Sequence, residues 1–170
     1  GEPPRDWVGH QPPGYPRVNG VPFPQKIIQT PAVIVILYET RTTFRQIFLD
    51  SHAPVRDAQP TWMGYSTGRW DGDTLVVQTS GFNDKTWLAG TGTFHSDALH
   101  IVERYTRLSK DRIDYEVTME DPNVLTKPWT LRSSLMLREG TRVQEYVCAE
   151  NNLDPDRYEV VPVGITREGT

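Results

Sequence analysis

The sequence predicts an all-β fold: a lipocalin-like, antiparallel up-and-down β-barrel of about eight strands with an extended Pro-rich N-terminal arm. Three observations predict it. Short alternating or β-branched runs succeed one another from residue 32 to residue 152, polar turns separate them, and no stretch carries the 3.6-residue period of an amphipathic helix. The 170 residues suit one domain with a real core. That domain is expected over 32–152, with the arm at 1–31 and a polar tail at 153–170.

The arm comes first. Residues 1–31 hold eight of the 14 prolines, and proline fixes φ and withholds a donor, so the segment is expected to be extended along the surface. If it packs over a barrel mouth or onto a second subunit, Trp7, Tyr15 and Phe23 are its anchors. Residues 32–38, AVIVILY, are a continuous apolar run, as expected of a strand buried on both faces or lying at an interface. Residues 42–50 alternate, with Phe44, Gln46 and Phe48 on one face and Arg45, Ile47 and Leu49 on the other. A loop at 51–60 follows and carries His52.

Residues 62–70 and 73–79 read as a hairpin about Asp71-Gly72, where glycine accepts the positive φ of a tight turn. Residues 81–97 form a long connection with three glycines and the apolar Trp87, Leu88 and Phe94. Connections longer than about 12 residues in a compact domain are often functional. Four strands complete the meander, at 99–108, 112–120, 129–138 and 142–150. One face carries Ile113, Tyr115, Val117 and Met119; another carries Trp129, Leu131, Ser133, Leu135 and Leu137. In the tail, Val160, Val161 and Val163 are candidates to dock.

Composition narrows the function classes. Net charge is −4 with no Lys/Arg cluster, so the basic stripe of a nucleic-acid or anionic-membrane binder is missing. No apolar run approaches the roughly 18 residues of a membrane-spanning helix. The single cysteine, Cys148, leaves no internal disulfide and no Cys-based zinc cluster, and it reads as a small strand residue. There is no G-x-S-x-G, P-loop, G-x-G-x-x-G or H-E-x-x-H motif.

Two glutamates interrupt apolar faces. Glu103 alternates with Leu99, Ile101 and Tyr105, and Glu145 with Val143 and Val147, so both are expected inside. A carboxylate there must be paired, hydrogen-bonded or protonated, and it can serve as general acid or base. The structural alternative is a pair with Arg104 or Arg132. His95 closes the long connection beside Ser96 and is the candidate general base or ligand hydrogen-bonder. His52, His95 and His100 lack tight metal-ligand spacing, so neither metal nor cofactor is expected. Asn83–Trp87 reads as an Asx turn or as a lid whose Asp84 or Lys85 reaches a substrate. Trp62, Tyr65, Trp87 and Tyr115 line a pocket in one reading and belong to the core in the other.

The blocks PRVNGVPFPQKIIQTP (16–31), TTFRQIFLD (42–50), PTWMGYSTGRWDGDTLVVQTSGFNDKTWL (60–88), HSDALHIVERY (95–105) and EYVCAENN (145–152) resemble an uncharacterised family of secreted β-rich proteins abundant in soil bacteria. The resemblance covers most of 16–152. It implies export to the periplasm or beyond and a longer precursor, and it brings no established reaction. The family's blocks match this sequence at Asp84, Lys85, His95 and Glu103, which makes those four the first candidates for catalysis. Family members tend to carry a His-Pro pair where this chain has His52, Ala53 and Pro54.

The expectation is therefore a secreted small-molecule-binding barrel. As an acid/base enzyme (lyase, isomerase or hydrolase) it would pair His95 with Glu103 and act on a carbohydrate-derived or aromatic substrate. Lys85 or Arg104 would then stabilise negative charge. As a carrier it would bind ligand through Trp62, Tyr65, Trp87, Tyr115 and Glu145. A third reading is a homodimer or interaction module whose strand 32–38 pairs with another subunit.

Overall fold

The computed structural model describes residues 14–49, 58–88 and 92–146, and their regular structure is β apart from two short 3₁₀ turns. Eight strands form one sheet in chain order: β1 (Gln25–Gln29), β2 (Val33–Tyr38), β3 (Thr43–Phe48), β4 (Tyr65–Asp71), β5 (Thr74–Ser80), β6 (His100–Arg107), β7 (Arg112–Glu120) and β8 (Trp129–Met136). The sheet curls into a half-barrel around its core. His52, Trp7, Cys148 and the valines at 160–163 lie outside the described residues.

Period-2 alternation predicts the inner face correctly over most of the sheet. Arg45 and Ile47 on β3 and Tyr115, Val117 and Met119 on β7 are buried; β2, expected to be buried on both faces or at an interface, buries only Ile34, Ile36 and Tyr38 and leaves Val33, Val35 and Leu37 half-buried. On β6, Ile101, Glu103 and Tyr105 are buried in the same alternation. The register stacks Val77, Glu103 and Val117 across three strands, so the glutamate sits mid-sheet between apolar neighbours. The hairpin forms as expected, with Gly72 at φ +59 and Asp71 opposite Thr74.

Closure and strand direction differ from the expectation. β3 and β4 run parallel through Ile47↔Ser66 and Phe48↔Thr67. Among the described residues, β1 and β8 each pair on one side only, so the sheet is mixed and does not close. Alternation tells which side chains point inward but says nothing about strand direction. The connection at 49–64 is long enough to return the chain to its starting end, which a tight turn cannot do.

Four further corrections follow, three at the edges and one at β2. Within the expected arm, residues 25–29 are a strand, and Tyr15 and Val18 are buried in the core. Phe23, another expected anchor, is 41% exposed. On β8 the apolar row is largely open, with Leu131 45% exposed, because an edge strand of an unclosed sheet has no layer above it. Over 141–146 no strand forms and Glu145 is exposed rather than on a core face. The backbone amides of Gln144 and Tyr146 donate to the side chains of Glu39 (3.0 Å) and Thr42 (3.3 Å) instead of to a neighbouring strand. Finally, β2 is flanked by β1 and β3, so any subunit contact it makes must use its outer face rather than an edge.

Candidate functional site

A polar cluster occupies the inside of the half-barrel, and Glu103 is its centre. Glu103 is fully buried, and Arg45 from β3 meets both carboxylate oxygens, Nη2 to Oε2 at 2.5 Å and Nη1 to Oε1 at 3.2 Å. Three phenols donate to Oε1: Tyr15, Tyr105 (2.6 Å) and Tyr115 (3.0 Å). The guanidinium is anchored in turn by Ser66 at 2.9 Å and Thr79 at 2.7 Å, and it lies 3.8 Å from the Tyr15 ring centroid. A buried charge needs this many partners, because each lost water contact must be replaced.

Asn19, on the 3₁₀ turn Arg17–Gly20, closes the cluster from above. Its Nδ2 donates to the oxygens of Tyr15 (2.9 Å), Tyr115 (3.1 Å) and Tyr105 (3.3 Å). Each phenol donates to Glu103, and the two N–H protons of Asn19 are shared among the three phenol oxygens. Among the described residues, Asn19 Oδ1 is buried without a hydrogen-bond partner, and the buried Tyr38 hydroxyl makes at most a weak interaction with Arg45. Flipping the amide does not help, since Oδ1 would then face three phenol oxygens whose protons already point at Glu103.

Burial pushes the Tyr15, Tyr38, Tyr105 and Tyr115 hydroxyls above their ordinary range, and the Glu103 charge adds to the effect. Burial, the largest single influence, would lower Arg45, but the attraction and hydrogen bond of Glu103 together with Tyr15 and Tyr105 outweigh it and hold the guanidinium above its usual value.

A second cluster fastens the long connection. His95 is 2% exposed, with Nδ1 2.9 Å from the Ser96 carbonyl and Nε2 2.6 Å from Thr86 Oγ1. A carbonyl only accepts, so Nδ1 carries the proton and Nε2 accepts from the Thr86 hydroxyl. Asp121 accepts from Ser96 N (2.6 Å), Ser96 Oγ (2.8 Å) and Asn123 N (3.1 Å). Burial would raise the Asp121 carboxyl, yet these hydrogen bonds from Ser96 and Asn123 hold it below its ordinary range.

Residues 14–20 touch both clusters. Tyr15 reaches Glu103, while Gly14 lies on Thr86, the partner of His95. Gly14 has φ +70, and a Cβ there would come within 2.5 Å of the Thr86 side chain. Gly14→Ala is expected to cost about 2 kcal/mol or more in urea unfolding, from left-handed strain plus overlap. Gly20→Ala, with open space around its Cβ, should stay within about 0.5 kcal/mol of wild type.

The structure separates the other residues singled out by sequence. His95 and Glu103 share no hydrogen-bond partner. Asp84 and Lys85 are exposed, and Lys85 N donates to Asn83 Oδ1 at 3.3 Å, the Asx turn of the blander reading. Tyr115 belongs to the Glu103 cluster. Tyr65 is half-buried, donates to the Gln59 carbonyl at 2.7 Å and lies against Gly81. Trp62 and Trp87 are half-buried, and Trp87 bridges to Phe94. Arg104 pairs with Asp71 and Arg132 with Glu116, so neither is the partner of Glu103. Among the described residues no three His, Cys, Asp or Glu side chains are grouped to hold a metal ion.

Arg45, Tyr15, Tyr38, Asn19 and Thr86 were missed as site residues. Arg45 had a legible signal, since it alternates with Ile47 on an apolar face just as Glu103 does with Ile101. Tyr15 was singled out only as an anchor of the arm, and Asn19 had no signal, because both reach the cluster from a proline-rich segment without periodicity. Compared with models of protein families, with curated proteins and with solved structures, the chain matches none.

Proposed function

We propose that the protein binds a small hydroxylated molecule, aromatic or carbohydrate-derived, at the Asn19 end of the Glu103 cluster. The carrying observation is the buried Asn19 Oδ1, which has no partner among the described residues, together with the Tyr38 hydroxyl, which makes at most a weak interaction with Arg45. An unmet buried polar atom costs about 1–3 kcal/mol, so a ligand that supplied its partner would recover that amount. Asn19 Oδ1 calls for a donor, and Tyr38 can donate or accept, which is the chemistry of a hydroxyl. Asn19 is the cluster's one half-buried member, so the approach is from its side. Export to the periplasm or beyond, implied by the family resemblance, belongs to the same reading.

Binding is favoured over turnover because His95 and Glu103 are held by separate partners and Glu103 has no open face. The test is titration with phenol and with a methyl glycoside, followed through the Asn19 side-chain amide by NMR. The expected result is a saturable shift with one of them, weakened about tenfold by Tyr38→Phe, the loss of one net hydrogen bond. No shift with either probe, or equal binding by Tyr38→Phe and Asn19→Leu, would overturn the reading.

A further inference from the structure

Residues 14–20 are held differently from the strands around them. Their backbone bonds run from Val18 N to Gly14 O (3.1 Å) and from Asn19 N to Pro16 O (2.9 Å), and among the described residues none joins them to a strand. Side chains dock them instead. Tyr15 and Val18 are buried in the core, and Asn19 Nδ2 reaches the three phenol oxygens. Among the described residues four side chains bond the Glu103 carboxylate: Arg45, Tyr105 and Tyr115 from strands, and Tyr15 from this segment. Gly14 opens the segment at φ +70, and Gly20 closes it with open space around it.

We propose that residues 14–20 form a lid over the Glu103 cluster, which opens as a unit between Gly14 and Gly20 and is held shut by the bound ligand. The two internal backbone bonds travel with the lid, so opening breaks side-chain contacts alone. A strand ladder opens only with its sheet, whereas a segment without one opens locally at lower cost. Opening also returns water to the charges of Glu103 and Arg45, which offsets part of the hydrogen bonding lost. With the lid shut, Glu103 is fully buried. With it lifted, the places of Tyr15 and Asn19 become an entrance framed by Arg45, Tyr105 and Tyr115. A ligand shifts such an equilibrium only by a contact made in one of the two states. Asn19 carries that contact on the lid itself, in the Oδ1 that lacks a partner among the described residues. The coupling to ligand rests on the binding site proposed above; the opening does not.

The test is native-state hydrogen exchange of the full wild-type chain, read by NMR in low urea. Without ligand, the Val18 and Asn19 amides are expected to exchange together and at least about tenfold faster than those of Glu103 and Val117 in the β6–β7 ladder. Low urea should leave the lid amides unchanged, because a local opening exposes little surface. Exchange of Val18 and Asn19 at the strand rate overturns the lid. Phenol or the methyl glycoside, whichever shifts the Asn19 side-chain amide, should slow both lid amides about tenfold at about ten times its dissociation constant, because it binds the closed form alone. A bound probe that leaves them unchanged or speeds them overturns the coupling. Should neither probe bind, the ligand site fails, and the ligand-free rates still decide the lid.

Discussion

Arg45→Met is expected to be the most damaging single substitution in this chain. Both members of the Arg45–Glu103 pair are essentially without solvent contact. Removing the guanidinium strands a carboxylate among three phenols in the half-barrel's interior. Breaking a buried pair in this way typically costs about 3–5 kcal/mol, a large share of the roughly 5–15 kcal/mol that holds a domain together. In urea the unfolding midpoint should fall by a third or more. The double variant Arg45→Met/Glu103→Gln removes both charges while leaving an oxygen to accept from the tyrosines, and it should recover at least half of the loss. Equal stability of Arg45→Met and wild type would show that the pair contributes no net ionic stabilisation.

Alkaline pH should produce the second large effect. The hydroxyls of Tyr15, Tyr38, Tyr105 and Tyr115 are raised from an ordinary value of 10.0, with burial the largest cause. For a group raised in the folded state, the stabilisation is complete below the unfolded pKa and is lost as pH climbs toward the folded one. Above pH 10 the unfolded chain releases four protons that the folded chain retains. Stability then falls by as much as about 5 kcal/mol per pH unit. Cooperative unfolding between about pH 11 and 12 is the expected outcome. Tyrosinate absorbance from these four residues should rise together with loss of near-ultraviolet circular dichroism. A rise with the dichroism intact would mean that the cluster admits hydroxide and is open to solvent.

Both predictions concern a cluster that was only half legible in the sequence. Glu103 stands out because a charged residue interrupts a two-residue apolar rhythm, and burial follows from that rhythm alone. Arg45 interrupts the same rhythm on β3. Recognising the two as partners requires knowing that β3 lies across the curl from β6, which no local pattern encodes. The partners proposed from sequence, Arg104 and Arg132, face outward and pair with Asp71 and Glu116. Glu145 shows the reverse failure. Its alternation with Val143 is real, but Glu39 and Thr42 take the amides of Gln144 and Tyr146, so the segment never joins a ladder.

His95 stood out in the sequence at the end of the long connection, and the structure buries it there between Thr86 and the Ser96 carbonyl. The hydrophobic rhythm, the turn glycines and the absence of helical periodicity were enough to establish an all-β chain and to assign the inner face of most strands. These are local properties, carried by two-residue alternation and by φ preferences at single positions. Strand direction at β3–β4, the open edges, and the convergence of Tyr15, Asn19, Arg45 and Glu103 were decided only by the tertiary structure. Each depends on where segments distant in the chain come to rest, and that is settled by the packing of the whole sheet.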